Sequence, residues 1–301
     1  MEIMGFLGPV GTHSEAAAIH LNSILEKKCR LEAFPDIYNA IRAVEKGKIA
    51  TCLVPVENSL EGSINITLDT LAHCDSLYIA REVVWGVHNH LMMQDVKVPV
   101  KKILSHAQPL AQCRDYIREH FPEAELEAVG STAIAANMAA EADPSEGIAA
   151  ICTIRAGLLN GLDVVATNIQ DNNNNCTRFY QLRRVGDGGD NGLKPIPPEE
   201  FGVCLKTQLI FQIDGKDAGQ LCWVLQDLAT RKVNITRIES RPARTGLGEY
   251  IFFLDLDVPE QEYRLDDAIE DICQKSVWLK NPGRYQVIRA DRVDLESAVR
   301  E

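Results

Sequence analysis

Residues 3–25, IMGFLGPVGTHSEAAAIHLNSIL, set the reading of the chain. Ile3 to Leu7 is a short apolar run that stops at Gly8-Pro9, and Thr12-His13-Ser14-Glu15 fits a capping box opening a helix over Ala16 to Leu25. Strand, glycine-rich turn and helix thus follow one another within one stretch. The pattern returns: Ile37, Ala40, Ile41 and Val44 have helical spacing, Gly47 is placed to stop that helix, and Ile49 to Val54 reads as a strand. A third helix is expected after Gly62.

From Ser76 the segments Leu77 to Val84 and Trp85 to Met92 read as extended. Ile103-Leu104 precedes a helix predicted from Pro109 to Glu119. Leu126 to Val129 leads to a helix at Thr132 to Glu141, and Gly147 to Ile151 to one at Ile154 to Leu159, before strands at Val164-Val165 and Arg178 to Leu182. Such alternation argues for parallel sheets covered on both faces, and two such sheets side by side make a cleft. The expected organisation is an α/β, two-lobed unit over 1–185, with one lobe from 1–76 plus 162–185 and the other from 77–161. Residues 186–203, with Gly186, Gly188, Gly189, Gly192, Pro195, Pro197 and Pro198, have linker composition. Beyond them, runs at Gln208–Ile213, Ala218–Thr230, Asn234–Glu239, Tyr250–Leu256, Leu265–Gln274 and Tyr285–Ile288 give βαββαβ, an α+β ferredoxin-like unit over 204–290 with a tail at 291–301.

The length of 301 residues suits two folding units, and 46% hydrophobic against 25% charged residues is an ordinary globular balance. A net charge of −12 repels polyanions, so nucleic acid is not an expected partner. With that balance, an anionic ligand has to be held by individual cations and backbone N–H groups. No stretch is apolar for long enough to span a membrane, and the start of the chain lacks a basic-then-apolar leader; a cytoplasmic protein is expected. The nine cysteines are scattered without a C-x-x-C pair and read as reduced core thiols. His88 and His90 share one strand face, but no third ligand clusters with them, so no metal and no cofactor is expected.

Several polar loops resemble one another: Gly8 to Ser14, Pro55 to Gly62, Ser105 to Gln108, Ser131 to Ala133 and Asn172 to Arg178. In open α/β sheets such loops converge on the ligand crevice, where helix N-termini offer unpaired N–H groups to anions. Each alone is also a cap or a turn; as a set they outline a polar cleft.

These motifs resemble the prephenate dehydratase family: G-P-x-G-T-x-S at the start, P-x-E-N-S-x-x-G, S-H-x-Q-x-L-A-Q-C, S-T-A, and N-x-T-R-F at Asn175-Cys176-Thr177-Arg178-Phe179. The similarity covers residues 3 to 183. The second unit resembles the ACT regulatory domain, with E-S-R-P at Glu239-Ser240-Arg241-Pro242. The resemblance implies a periplasmic-binding-protein-like catalytic domain that converts prephenate to phenylpyruvate, water and carbon dioxide, with phenylalanine as effector of a homodimer or homotetramer.

It further implies Thr177 as hydrogen-bond donor to the leaving hydroxyl and Arg178 as a carboxylate clamp. Phe179, Asn58, Ser59, Gly62, Ser105, Gln108, Ser131, Thr132, Ala133, Thr12 and Ser14 are the other expected substrate contacts. Glu57 and His106 have either catalytic or structural roles. Gly219, Leu221, Asn234, Glu239, Ser240 and Arg241 are the expected effector contacts; at that turn Gly219 and Leu221 match the family pattern while Ala218 and Gln220 differ. Arogenate dehydration, decarboxylation that keeps the hydroxyl, and non-catalytic capture of a small anion remain open on these residues alone.

Overall fold

The structure, a computed structural model, describes residues 1–186, 204–214, 218–246 and 248–290. The first lobe starts with β1 (Ile3–Leu7), α1 (His13–Ile24), β2 (Arg30–Phe34), α2 (Ile37–Glu45) and β3 (Thr51–Asn58). It continues with β4 (Gly62–Ser63), α3 (Asn65–Ala72) and β5 (Leu77–Gly86). β1 pairs in parallel with both β2 and β3, as the strand–helix alternation requires. The capping box is present in modified form: Thr12 Oγ1 accepts from the Glu15 N–H, and the Glu15 carboxylate reaches back to the Gly11 N–H at 2.7 Å. β2 escapes a pattern reading because it is a sheet-edge strand that buries none of its residues fully.

The second lobe contains β6 (His90–Met93), β7 (Lys102–Ser105), α4 (Ala107–Gln112), α5 (Arg114–His120), β8 (Glu125–Ala128), α6 (Thr132–Glu141), β9 (Ile148–Cys152), α7 (Ile154–Leu159) and β10 (Asp163–Ala166). Its five strands run in the order β10-β6-β9-β7-β8. The helix expected over 109–119 is two helices, since Cys113 leaves helical geometry between them. α6 and α7 occupy the predicted residues because Ser131 and Thr153 cap them locally.

β11 (Cys176–Arg184) then returns to the first sheet, antiparallel between β3 and β5. The lobe boundaries therefore differ from the expected ones. β5 belongs to the first sheet because it pairs with β11, and β10 belongs to the second because it pairs with β6. The crossings lie at 87–89 and 167–175.

The remaining elements are β12 (Cys204–Gln212), α8 (Gln220–Thr230), β13 (Ile235–Pro242), β14 (Tyr250–Asp257), α9 (Tyr263–Lys275), β15 (Trp278–Lys280) and β16 (Arg284–Ala290). α8 and α9 cover one sheet face through Leu209, Phe211, Val224, Leu228, Leu254 and Ile272. The other face, with Ile210, Phe253 and Tyr285, shares a core with Ile41, Leu68 and Leu71 of the first lobe. β16 also pairs in parallel with β5, from Gln286–Arg81 to Ala290–Trp85, so one sheet of 11 strands runs through both units. Of the linker expected at 186–203, all but Gly186 lies outside the described residues, as do the expected tail at 291–301 and Asp217.

Of the cysteines, Cys204, Cys222 and Cys273 are exposed and Cys176 is half-buried, against the expectation of nine core thiols. Among the described residues, no helix is long and apolar enough to cross a membrane.

Candidate active site

Between the lobes lies a cavity of about 310 Å³. The first lobe lines it with Thr12, His13, Ser14, Asn58, Thr177 and Phe179; the second with His106, Gln108, Gln112, Ser131 and Thr132; the crossings add Asn89 and Asn175. Leu7, Pro55, Val87 and Phe179 supply an apolar wall. Among the described residues, no Arg, Lys, Asp or Glu lines this cavity. Glu61 and Asp171 instead border an adjoining hollow that shares Gln108, Gln112 and Asn175.

Positive potential comes from two helix starts. α1 and α6 both begin at the cavity, with Thr12 and Ser131 as caps, and the first N–H groups of a helix have no intrahelical acceptor. The lobes are held together beside them. Thr153 Oγ1 donates to the Gly11 carbonyl at 2.7 Å, and Arg155 pairs with Glu15 at 3.0 Å. Gly11 has φ +91°, and a Cβ there would stand 3.0 Å from that of Ala156.

A side-chain chain crosses the cleft. Asn175 Nδ2 donates to Gln112 Oε1 at 3.0 Å; Asn58 Nδ2 donates to Asn175 Oδ1 at 2.9 Å and lies 3.1 Å from Thr177 Oγ1. The Asn58 amide cannot be turned without loss, because its Oδ1 accepts the N–H groups of Leu60 and Glu61. Thr177 Oγ1 is therefore an acceptor toward Asn58, leaving its own proton for a group in the cavity. Gln112 and Asn175 were missing from the sequence-predicted site residues, although both stand within the motifs that mark the cleft.

Arg178 does not face the cavity. Successive strand residues point to opposite faces, so Thr177 in the cleft puts Arg178 behind it. Its guanidinium binds Glu82 at 3.0 and 2.7 Å, Glu57 at 2.7 Å and Asp255 at 2.8 Å. Burial opposes that charge, but the Tyr180 oxygen, Glu82 and Asp255 outweigh it and raise the Arg178 pKa further. A carboxylate clamp is corrected to a structural ion cluster, and Glu57 belongs to the same cluster.

Four other expected contacts also lie outside the cavity lining. Ser59 latches the loop after β3 to Asn174 and Cys176. Ser105 is fully buried and donates to the Ile151 carbonyl. Gly62 has φ +84° and pairs with Asn58 in a two-residue strand. The Ala133 side chain is buried near Gly11. His106 caps α4 by accepting the Gln108 N–H, which is a structural role, and it also borders the cavity.

Sequence reasoning paired His88 with His90 but missed the polar patch that they form with His13 and Asn89. His13 Nε2, His88 Nδ1 and both polar atoms of the Asn89 side chain are buried without a hydrogen-bond partner among the described residues. Burial, aided by His88, lowers the His13 pKa to about 4. Burial with His13 and His88 does the same to His90, also to about 4. Among the described residues no cluster of three ligands suits a metal.

A family model described as prephenate dehydratase matches residues 4–186, the span that builds this cleft. The chain belongs to the prephenate dehydratase family. It is 33% identical to the prephenate dehydratase of Lactococcus lactis subsp. lactis over 94% of this chain and 97% of that one. The enzyme of Methanocaldococcus jannaschii is 30% identical over 93% and 96%. The structure of the Arthrobacter aurescens prephenate dehydratase in complex with L-Phe superposes with a TM-score of 0.79 at 32% identity, covering 97% of this chain and 91% of that one.

The expected effector residues lie at the start of α8 and on or beside β13. Glu239 accepts from Ser63 Oγ at 2.5 Å, and Arg241 pairs with Asp69 of α3 at 3.0 Å. Asn234 binds Asp257, while Ser240 is exposed. Gly219, with φ +89°, starts α8 and Leu221 packs on the C-terminal core.

Proposed function

We propose that this chain converts prephenate to phenylpyruvate, and that Thr177 donates the hydrogen bond that helps the ring hydroxyl leave. The observation that carries the reading is the Thr177 hydroxyl, held as an acceptor by Asn58 with its proton toward a cavity between two helix starts. Prephenate is a dianion. The helix starts at Thr132 and Ser14 and the hydroxyl and amide groups of Ser131 and Gln108 suit its side-chain carboxylate, and the apolar wall suits the ring. A ring carboxylate that leaves as carbon dioxide loses charge and is helped by a wall that does not solvate it.

The step balances with one proton. The C–C bond to the ring carboxylate breaks, its electron pair enters the ring, the C–O bond breaks, and the hydroxyl leaves as water. Aromatisation supplies the driving force, so the protein's task is to orient the hydroxyl and lower the cost of its departure. General acid assistance of this kind contributes about 10²- to 10⁴-fold. Threonine is a weak acid, so its part is to orient and to relay. Arogenate carries an ammonium group in place of the ketone, and the absence of a carboxylate from the described cavity lining favours the keto acid.

Phenylalanine is assigned to the C-terminal unit, as an ACT domain paired with a second copy across Gly219, Leu221 and Ser240. Supporting this, Trp223 on α8 and Ile238 on β13 stand 52% and 50% exposed. The likeness to a relative crystallised with L-Phe spans both units. The deciding assay follows phenylpyruvate by its absorbance in alkali, from prephenate and from arogenate, with and without phenylalanine. Turnover of neither substrate would overturn the enzyme reading.

A further inference from the structure

We propose that Arg178 is a positioning residue for Thr177, and that Asp255 makes the catalytic strand answer to the C-terminal unit. The inference rests on the role of Thr177 proposed above and extends it to how that residue is held. On β11 and β3, two successive rungs do different things. Thr177 pairs with Asn58, and the hydrogen bond between their side chains faces the cleft. The next rung pairs Arg178 with Glu57, and their 2.7 Å ion pair faces away from it. A register shift interrupts the ladder immediately beyond these two rungs, and because neighbouring side chains on one strand share its backbone, a displacement of Arg178 is carried to Thr177.

The outward face is gripped from three sides. Glu82 of β5 takes two donors of the Arg178 guanidinium, Glu57 of β3 takes one, and Asp255 of β14 shares Nη2 at 2.8 Å. Glu82 and Asp255 are essentially fully buried. Tyr180 Oη and Gln208 Nε2 occupy the other Asp255 oxygen, and Arg237 adds a second cation 3.5 Å from Glu57 and 3.8 Å from Asp255. Removing one partner from such a cluster leaves charge in the interior, which costs far more than the pair contributes when complete.

Asp255 is distant in the strand order. β12, β16 and β5 lie between β14 and β11, a separation of roughly 19 Å across a flat sheet at about 4.8 Å per strand. Contact at 2.8 Å requires the sheet to curl so that the C-terminal unit faces the back of the catalytic strand. A ligand that favours one placement of β14 over another thereby acts on Thr177 without touching the cleft, which is the differential interaction that effector control needs.

The test uses the full chain with Asp255→Asn, which keeps shape and removes charge, and Glu57→Gln as a second variant at the most accessible carboxylate of the Arg178 cluster. Hydrogen exchange of the 176–180 amides is read beside kcat, KM and Tm. Expected for Asp255→Asn is faster exchange over 176–180, kcat lower by about 10- to 100-fold as for a misplaced catalytic group, and KM within about twofold. Combined with Thr177→Val, Asp255→Asn should add little further loss, because the group it positions is gone. Unchanged exchange and kcat in both variants would overturn the proposal, as would a kcat loss that merely follows the unfolded fraction. Wild-type protein that turns over no prephenate would sink the substrate reading, while the exchange data would still judge whether Asp255 holds β11.

Discussion

Asn58 Nδ2 stands 3.1 Å from Thr177 Oγ1, and the same amide is anchored through Asn175 to Gln112 of the opposite lobe. The direction of the threonine proton is thus decided by a neighbour that can only donate on that side. Thr177→Val should lower kcat by about 10²- to 10⁴-fold, whereas Thr177→Ser should retain most of it. Asn58→Asp should imitate the valine variant, since a carboxylate would draw the Thr177 proton away from the cleft. Steady-state kinetics on folded variants, with KM little changed, would bear this out.

Arg178→Met should act first on stability. It leaves Glu82 and Asp255 buried without their shared cation, and the expected loss is about 3–5 kcal/mol in denaturant unfolding. A variant with normal stability and a greatly raised KM would restore the carboxylate-clamp role.

Gly11→Ala tests the seam between the lobes. The position has φ +91°, its carbonyl accepts from Thr153, and the added Cβ would press on Ala156. A loss of at least about 1 kcal/mol is expected, together with a KM that rises more than kcat falls because the lobes are held apart.

His13 and His90 are held uncharged, with folded pKa values of about 4 against the ordinary 6.5. Below pH 6.5 the unfolded chain takes up protons that the folded chain refuses, so stability falls progressively from about pH 6.5 to about pH 4. Unfolding free energies measured at pH 7 and pH 5 should show the loss, and His13→Asn should reduce it.

With no arginine or lysine lining the described cavity, the proposed binding of a dianion relies on fixed N–H dipoles at short range. Raising ionic strength from about 0.05 to about 0.5 M should change KM by less than about threefold, where a surface field would be screened over about 10 Å or less. A steep rise of KM with salt would point to arginine or lysine contacts instead.

Much of this molecule is local in origin. The helices at Thr132–Glu141 and Ile154–Leu159 begin where Ser131 and Thr153 can cap them, and a cap acts over three residues. The ordered loops at Gly8–Ser14, Asn58, Gln108 and Ser131 also announced a cleft, because a polar loop between a strand end and a helix start has the same meaning in any parallel sheet. The alternation of strand faces even held the answer for Arg178, since Thr177 and its neighbour could not both enter one cavity.

What stands opposite each face was decided only in three dimensions. Glu57, Glu82 and Asp255 come from strands separated by up to 198 positions from one another in the chain, and their meeting at Arg178 depends on the pairing of β16 with β5 and on the curl of the sheet. The polar patch at His13 and Asn89 arises in the same way, from a helix start and a lobe crossing brought together by burial. The sequence by itself determined the elements, their caps and the motifs that mark the cleft, because those interactions are short in range. Tertiary structure alone decided which charges meet and which polar groups are left to a ligand, because pairing between distant strands sets both.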